Sequence, residues 1–309
     1  MNSQTPSIQT ARWAVLAMFF INGALFANWV ARIPQIQAKL ALSEGELGLV
    51  LLGIAVGVLV ALSLAGGLIA RYGSRAVTTA GALLLCLLLP PLALMPNAVT
   101  LWLNLFVFGA AMSTMDVAMN AQGVDVERRL GQAVMSSFHA AFSIGGFVGA
   151  GIGAAMATFS IGPLLHFATV AIGFLALTGL LSRWLLPRES DPHTDGPGAV
   201  FQLPPRILWP LGAVAFCAAI GEGSMADWSG VYLKSVVGTG AGAAAFGFAA
   251  FSLTMTLGRL LGDNLTMRFE PARLVQSGGI LAAVGLTLAI IQPQLVPSLL
   301  GFAAVGAGM

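Results

Sequence analysis

Long apolar runs separated by short polar loops dominate the pattern of the chain. A helix needs about 20 apolar residues to cross the hydrocarbon core of a bilayer, and ten runs approach or exceed that length. Because these runs are continuous and lack the alternation of barrel strands, they predict membrane-spanning α-helices. The ten predicted spans are residues 13–30, 47–70, 76–95, 101–121, 133–159, 163–186, 207–226, 241–261, 274–291 and 295–309.

The composition supports a membrane protein and excludes several other classes. Hydrophobic residues make up 57% of the 309 positions and charged residues only 8%, and the mean hydropathy is +0.89. An average soluble domain carries roughly 25% charged residues. A soluble enzyme, a nucleic-acid-binding protein and a disordered chain are therefore excluded. Cys86 and Cys217 lie in apolar runs, and no metal-ligand or nucleophile–base spacing is present, so we expect no metal, no cofactor and no enzymatic activity.

The basic residues predict an orientation and a division of the chain. Ten of the 14 Lys and Arg residues lie on the side of the N-terminus, three lie on the opposite side, and Arg259 lies within a span. Cytoplasmic loops carry an excess of basic residues, so the N-terminus is predicted to be cytoplasmic. The longest polar segment, 186–206, is rich in proline and predicts a cytoplasmic linker between an N-terminal half, 1–185, and a C-terminal part, 207–309.

The chain also contains an internal repeat. Residues 26–29 resemble residues 225–228, and Arg71 recurs as Arg268 at an offset of 197. Six spans separate the two copies, so both start with the same orientation. This arrangement predicts parallel repeats related by an axis along the membrane normal, each built of six helices.

The repeat leads to an expectation about the tenth span. Met309 corresponds to Met112, which lies inside the fourth span. We therefore expect an all-α integral membrane protein of two pseudo-symmetric six-helix halves, here truncated within the tenth helix. The alternative is a protein with ten spans and a short last helix.

One loop carries a resemblance to a known family. Residues 66–75, after the second span, have the sequence Gly-Gly-Leu-Ile-Ala-Arg-Tyr-Gly-Ser-Arg. This resembles the loop motif Gly-x-x-x-Asp-Arg-x-Gly-Arg-Arg of the major facilitator superfamily. Ala70 replaces the aspartate of the motif and Ser74 replaces an arginine, whereas the related stretch 258–263 keeps an acid.

Three further segments resemble a narrower subgroup of that superfamily, which includes a rhizopine-locus membrane protein and bacterial inner-membrane permeases. They are residues 116–123, 135–139 and 222–228. The resemblance implies a monomeric secondary transporter of the bacterial inner membrane, with two halves that rock around a central site. It implies a small-molecule substrate, protons and the lipid bilayer as partners, and no nucleic acid.

Acidic residues inside the spans are candidates for function, because an acid there costs at least about 2.5 kcal/mol on insertion scales. Glu222 lies about fifteen residues into the seventh span, hence about 22 Å from its start. We expect it to bind substrate or to carry a coupling proton, with a hydrogen-bonded structural acid as the alternative. Asp227 lies near the outer surface, where it is either an outer-gate contact or a solvated helix end.

A second group of polar residues lies on the fourth and fifth spans. Asp116 and Asn120 are spaced i, i+4 and so share one helix face. His139 lies at a similar depth on the next helix, which permits contact between Asp116 and His139. The two hypotheses are a proton relay and a polar clamp between helices.

The first span supplies three more candidates. Asn22 lies midway along it, facing water or another helix, and is a candidate substrate contact. Asn28 and Trp29 lie near its outer end and are outer-gate candidates together with Trp228 of the seventh span. For both tryptophans we slightly favour the alternative, which is a place in the interfacial aromatic belt.

The inner-gate candidates are all on the side of the N-terminus. Arg259 and Asp263 are spaced i, i+4 near that end of the eighth span, which allows an ion pair on one helix face. Arg71 and Arg75, in the loop that resembles the superfamily motif, complete the set.

Small residues recur every four positions on the second and fifth spans. This spacing lets helices approach closely. In the family that the chain resembles, these helices border the opposite half, so the surfaces would permit rocking; static packing is the simpler interpretation. The residues are Gly53, Gly57, Ala61 and Ala65, and Gly145, Gly149, Gly153 and Ala157.

We therefore predict a proton-coupled transporter for a small polar solute, sugar- or polyol-like. An efflux antiporter for amphipathic or cationic compounds is the first alternative. A membrane sensor or assembly factor that keeps the fold without transport is the second. Neither lysine lies in a phosphate-loop pattern, so an ATP-driven pump has no support within the chain.

Overall fold

The computed structural model describes the backbone of residues 6–187 and 205–309, and the side chains of these residues except 262–264, 266 and 267. Within these ranges the secondary structure is helical and contains no strand. The α-helices are α1 (Ile8–Val30), α2 (Ile33–Lys39), α3 (Glu44–Tyr72), α4 (Ser74–Leu92), α5 (Ala98–Leu130), α6 (Met135–Thr158), α7 (Pro163–Leu181), α8 (Trp209–Ser235), α9 (Ala241–Arg268), α10 (Pro271–Ile291) and α11 (Leu295–Gly308).

The prediction of an all-α membrane protein is confirmed. In the described part of the chain, nine helical segments are long and apolar enough to cross a membrane, and α11 is a shorter apolar helix. The predicted linker 186–206 lies mostly outside the described residues. The short helix α2, which continues from α1 after a turn, has no counterpart among the predicted spans.

Local signals set the ends of the helices. Ser43 begins α3 with a capping box, in which its hydroxyl accepts from the backbone N–H of Glu46 and the Glu46 carboxylate accepts from the N–H of Ser43. The side chain of Asn97 caps α5 in a similar way by accepting from the N–H of Thr100. Gly131 ends α5 in the left-handed conformation, with φ of 65°, which glycine adopts without steric cost.

We call the side of the membrane where α1 begins the N-terminal face, and the other side the opposite face. Because the spans alternate in direction, α8 also begins at the N-terminal face. For convenience, α1–α7 are the first bundle and α8–α11 the second bundle.

Glycines allow close helix packing inside the first bundle. A Cβ placed on Gly57 of α3 would overlap the backbone of Phe106 in α5, and one on Gly145 of α6 would overlap the backbone of Phe20 in α1. Helices approach this closely only where small residues face each other. These two glycines thus pack against helices of their own bundle, and a role of the small residues in rocking stays a prediction.

The packing of the first bundle recurs in the second. In each case a glycine lies against the backbone of a facing helix, and the corresponding pair lies 197 residues later. The duplication extends the sequence repeat to three-dimensional contacts. The pairs are Ile54–Gly109 with Phe251–Gly306, and Gly81–Ala111 with Gly278–Gly308.

Contacts between the two bundles extend from the middle of the membrane to the opposite face. Lys234 at the end of α8 donates to the carbonyl of Pro34 in α2 at 3.1 Å. A Cβ on Gly242, at the start of α9, would lie 3.2 Å from the Cβ of Thr158, at the end of α6. The two bundles are therefore in direct contact at the opposite face.

Candidate functional site

The polar residues of three helices meet near the middle of the membrane. Arg259 of α9 donates through Nη1 to Ser143 Oγ of α6 at 2.6 Å, and its Nη2 lies 3.5 Å from Glu222 Oε2 of α8. The Arg259 side chain is 32% exposed and that of Glu222 is 40% exposed, so neither is sealed from its surroundings. Arg259 is thus held by an ion pair within the second bundle and donates a hydrogen bond to the first bundle.

His139 lies one helical turn before Ser143 on α6 and is exposed. Its ring lies edge-on to Phe19 at a centroid distance of 5.4 Å. The described structure shows no hydrogen bond between His139 and Asp116. The proton relay and the polar clamp that their equal depth suggested both stay predictions.

The pairing of Asp116 with Asn120 agrees with their spacing. The Nδ2 of Asn120 donates to the backbone carbonyl of Asp116 at 2.9 Å and to its Oδ1 at 3.3 Å. Both side chains are half-buried on α5. The amide of Asn120 therefore holds one carboxylate oxygen of Asp116.

Asn22 faces a neighbouring helix, which was one of the two environments expected for it. It is fully buried, and its Nδ2 donates to the carbonyl of Met112 at 3.4 Å and lies 3.9 Å from the Sδ of Met119. The Oδ1 of Asn22 is buried without a hydrogen-bond partner among the described residues. A buried acceptor without a donor costs about 1–3 kcal/mol. Because Asn22 is sealed inside the first bundle, its role as a substrate contact stays a prediction.

The residues near the outer end of α1 are more buried than predicted. Trp29 is fully buried, so the favoured placement of this residue in an interfacial aromatic belt is wrong. Trp228 is half-buried and lies against Gly48 of α3, where a Cβ would be 3.6 Å from its ring. Trp228 therefore contributes to the contact between the bundles.

A buried hydrogen-bond network lies behind Trp29 and was not predicted. Arg32 and His166 are both fully buried. Arg32 donates through Nε to His166 Nδ1 at 2.9 Å and through Nη2 to the carbonyl of Ile161 at 2.9 Å, and it also bonds Gln35. His166 Nε2 lies 2.6 Å from Asn28 Oδ1. Because Arg32 Nε can only donate, His166 Nδ1 accepts and Nε2 carries the proton.

This network changes the interpretation of two residues. Asn28 was an outer-gate candidate, but its side chain also donates to the carbonyl of Ala24 at 2.7 Å, and it lies inside the first bundle. His166 holds Arg32 and Asn28 together inside the first bundle, which is a structural role. The only sequence signal was the combination of a lone histidine with an asparagine and an arginine at the ends of two apolar runs.

The remaining gate candidates have few described contacts. Asp227 is half-buried and forms no hydrogen bond or ion pair with another described residue. Because α8 continues to Ser235, Asp227 lies within the helix, and its placement at a helix end is wrong. The side chain of Asp263 lies outside the described residues. Arg71 is exposed and Arg75 half-buried, and their role in an inner gate stays a prediction.

Charged and amide groups in the centre of a multi-helix membrane protein indicate the class of protein to which it belongs. Such groups are costly in lipid and mark the path of a substrate or ion in transporters. The chain is therefore a polytopic membrane transporter by fold and by the location of its polar groups. The family model described as Major Facilitator Superfamily matches residues 14–309, and the chain belongs to this superfamily.

Relatives by sequence agree with this assignment. An uncharacterised MFS-type transporter of Yersinia pestis is 38% identical over 290 residues, which cover 94% of this chain and 75% of the relative. The membrane protein MosC of Rhizobium meliloti is 34% identical over 300 residues, which cover 96% of this chain and 72% of MosC. The resemblance to the subgroup of the rhizopine-locus membrane protein is thereby confirmed. Multi-span relatives of this kind imply a protein of the inner membrane.

Solved structures show the same fold at low identity. The nucleoside transporter NupG matches with a TM-score of 0.69 and 14% identity, and the match covers 100% of this chain and 79% of NupG. A bacterial homologue of the human lysosomal transporter Spinster, in an inward-facing and occupied conformation, matches with a TM-score of 0.70 and 19% identity, over 96% of this chain and 72% of the homologue. The family consists of transporters, which implies a small-molecule substrate and a lipid environment.

Proposed function

We propose that the protein is a proton-coupled secondary transporter that moves a small polar solute by alternating access. The observation that carries the proposal is the junction of Arg259, Glu222 and Ser143, where a charged side chain of one bundle donates to the other. We further propose the two halves 1–185 and 207–309, a monomeric state and a cytoplasmic N-terminus.

The character of the solute follows from the groups available to it. Asn120 and Asp116 are half-buried and offer amide and carboxylate groups, and the partly exposed Glu222 offers a carboxylate beside Arg259. These groups can form several hydrogen bonds with a hydroxyl-rich molecule. Each well-placed bond favours that molecule over an analogue that lacks the hydroxyl group. A sugar, a polyol or a nucleoside fits this set, and the last is the solute class named for NupG, which shares the fold.

The proton-coupling proposal rests on Glu222. Its carboxylate holds the Arg259 guanidinium at 3.5 Å while both side chains remain partly exposed. A proton that reaches Glu222 removes its negative charge and so releases one side of Arg259. The guanidinium is then held by Ser143 alone among its described hydrogen-bond partners, which alters the link between the bundles.

Alternating access is supported by where the bundles touch. The hydrogen bond from Lys234 to Pro34 and the contact of Gly242 with Thr158 lie near the opposite face. These contacts support a conformation that is closed on the opposite face.

The test uses the protein in liposomes with a pH-sensitive dye trapped inside. A gradient of a sugar, a polyol, a nucleoside or a quaternary amine is applied, and the change of internal pH is recorded. We expect a hydroxyl-rich solute to carry protons in its own direction. In Glu222→Gln, solute counterflow should persist while solute-driven proton movement falls at least tenfold, because the amide cannot exchange a proton.

The matched control is Glu270→Gln, which neutralises an exposed acid paired with Arg273 on the N-terminal face. It should leave proton movement unchanged. Full coupling in Glu222→Gln would remove Glu222 from the proposal. Proton movement opposite to an amine gradient would indicate the efflux antiporter, and binding of a solute without any flux would indicate the sensor.

A further inference from the structure

The outer surface of the first bundle contains an apolar groove that plays no part in the proposed transport path. It lies between α3, α4 and α5 and has a volume of about 500 Å³. Its lining is apolar except for Tyr72 and Thr114, and it includes Leu68, Leu84 and Val107. A groove with this lining suits a hydrocarbon chain and offers little to a polar solute.

The length of the groove matches one leaflet of a bilayer. On α4 it extends from Ala76 to Leu84, which is about 12 Å at 1.5 Å per residue. Half of a hydrocarbon core of about 30 Å is about 15 Å. Since α4 begins at the N-terminal face, the groove covers nearly the whole depth of the leaflet on that side.

A basic cleft continues from the groove to the membrane surface. This second cavity shares Tyr72, Ala76 and Ala80 with the groove and adds Arg75 and Thr79 to the lining. The guanidinium of Arg71 lies 5.2 Å from the centre of the Tyr72 ring, at the same end. Neither arginine forms an ion pair with an acid in the part of the chain that the structure describes.

We propose that the groove and the cleft together bind one anionic phospholipid, with an acyl chain in the groove and the phosphate between Arg71 and Arg75. Positive charge at the surface end and an apolar wall below it match the two parts of such a lipid. Each basic residue near a membrane surface contributes about 1 kcal/mol of attraction to anionic lipid, so two arginines select by headgroup charge. This assignment does not depend on the proposed transport function.

The test measures lipid binding to the delipidated protein by native mass spectrometry. The protein in non-ionic detergent is titrated with dioleoyl phosphatidylglycerol and, separately, with dioleoyl phosphatidylcholine. We expect one phosphatidylglycerol to bind at least tenfold more tightly than phosphatidylcholine. Arg71→Gln and Arg75→Gln should each weaken phosphatidylglycerol binding about fivefold and leave phosphatidylcholine binding unchanged.

Two further variants separate the headgroup from the acyl chain. Ala80→Leu fills the groove from an exposed position and should weaken both lipids alike. Arg268→Gln is the matched charge control. Arg268 is the repeat counterpart of Arg71, but the second arginine is missing there, because Ala272 is the counterpart of Arg75. It should change neither affinity.

Three results would overturn the proposal. They are equal affinity for the two lipids, an undiminished preference in the double variant Arg71→Gln/Arg75→Gln, and an equal loss in Arg268→Gln. A variant that unfolds loses both lipids, whereas loss of a headgroup contact removes only the preference. The ratio of the two affinities therefore separates misfolding from a true effect.

Discussion

At the scale of single residues, the sequence predicted contacts along one helix and missed contacts between helices. The spacing of Asp116 and Asn120 predicted a shared face, and the structure shows their hydrogen bond. The ion pair of Arg259 with Glu222 was not predicted, because it depends on how α8 and α9 are rotated about their own axes. Helical periodicity shows which residues share a face of one helix, but it does not show how two helices are rotated relative to each other.

The Arg32–His166 network is also a contact between helices that the sequence did not predict. It gives a prediction about stability. His166→Phe keeps an aromatic ring but removes the acceptor of the buried Arg32 Nε and the donor to Asn28. A buried donor left unpaired costs about 1–3 kcal/mol and more when it is charged. We expect the variant to lose about 3 kcal/mol of stability, seen as a lower thermal unfolding temperature in detergent.

Thr169→Val on the same helix is the control for that experiment. Thr169 is exposed and bonds only the carbonyl of Leu165 in its own helix, so its loss should change stability by less than about 0.5 kcal/mol. Equal unfolding temperatures for wild type and His166→Phe would show that the network contributes nothing to stability.

At the scale of helices, hydropathy located the nine spanning segments of the described residues and the shorter helix α11, but it underestimated the ends of several helices. Helix α5 continues to Leu130 and α8 to Ser235, beyond the predicted ends at residues 121 and 226. Hydropathy indicates where the chain leaves the hydrocarbon core of the bilayer. A helix can continue beyond that point as long as its backbone N–H and C=O groups remain hydrogen-bonded to one another. The short helix α2 was missed because seven residues cannot form a span.

The glycines of α3 provide a prediction at this scale. A Cβ on Gly57 would meet the backbone of Phe106, whereas a Cβ on Gly66 of the same helix meets nothing within 4 Å. We expect Gly57→Ala to lose about 1–3 kcal/mol because α3 and α5 must move apart. Gly66→Ala should be neutral or stabilise by up to about 1 kcal/mol, because alanine favours helix over glycine.

Thermal unfolding of the two variants in detergent checks this difference. Equal losses would mean that the helix itself, and not its contact with α5, responds to the added methyl group. A loss only in Gly66→Ala would contradict the packing described for these helices.

At the scale of the whole molecule, the sequence predicted the family and the repeat. It did so because a repeat needs only matching residues at a constant offset, and the contact of Gly109 with Ile54 does recur as that of Gly306 with Phe251. Which membrane face brings the bundles together could not be predicted. Both conformations of an alternating carrier share one sequence, and their free energies differ by only a few kcal/mol.

A cross-link on the opposite face tests the alternating motion. In a background without Cys86 and Cys217, cysteines replace Thr158 and Gly242, whose Cβ positions lie 3.2 Å apart. A disulfide needs Cβ atoms about 3.5–4.5 Å apart, so a small shift suffices. We expect oxidation to stop solute counterflow in liposomes and reduction to restore it.

The control variants are the single substitutions Thr158→Cys and Gly242→Cys in the same background. Oxidation should leave their counterflow intact, because neither can form the disulfide across the two bundles. Unchanged counterflow after complete cross-linking of the Thr158–Gly242 pair would show that this face does not open during transport.

The length of α5 has a mechanical consequence. Its 33 residues measure about 50 Å, roughly 20 Å more than the hydrocarbon core is thick. The last turns, where Asp125 forms ion pairs with Arg128 and Arg129, form a stiff tip attached to the rod that carries Asp116. In the proposed alternating motion, a small tilt of α5 about its middle would move this tip through a wider arc. We therefore expect a fluorescent label on Leu130 to report the motion in real time.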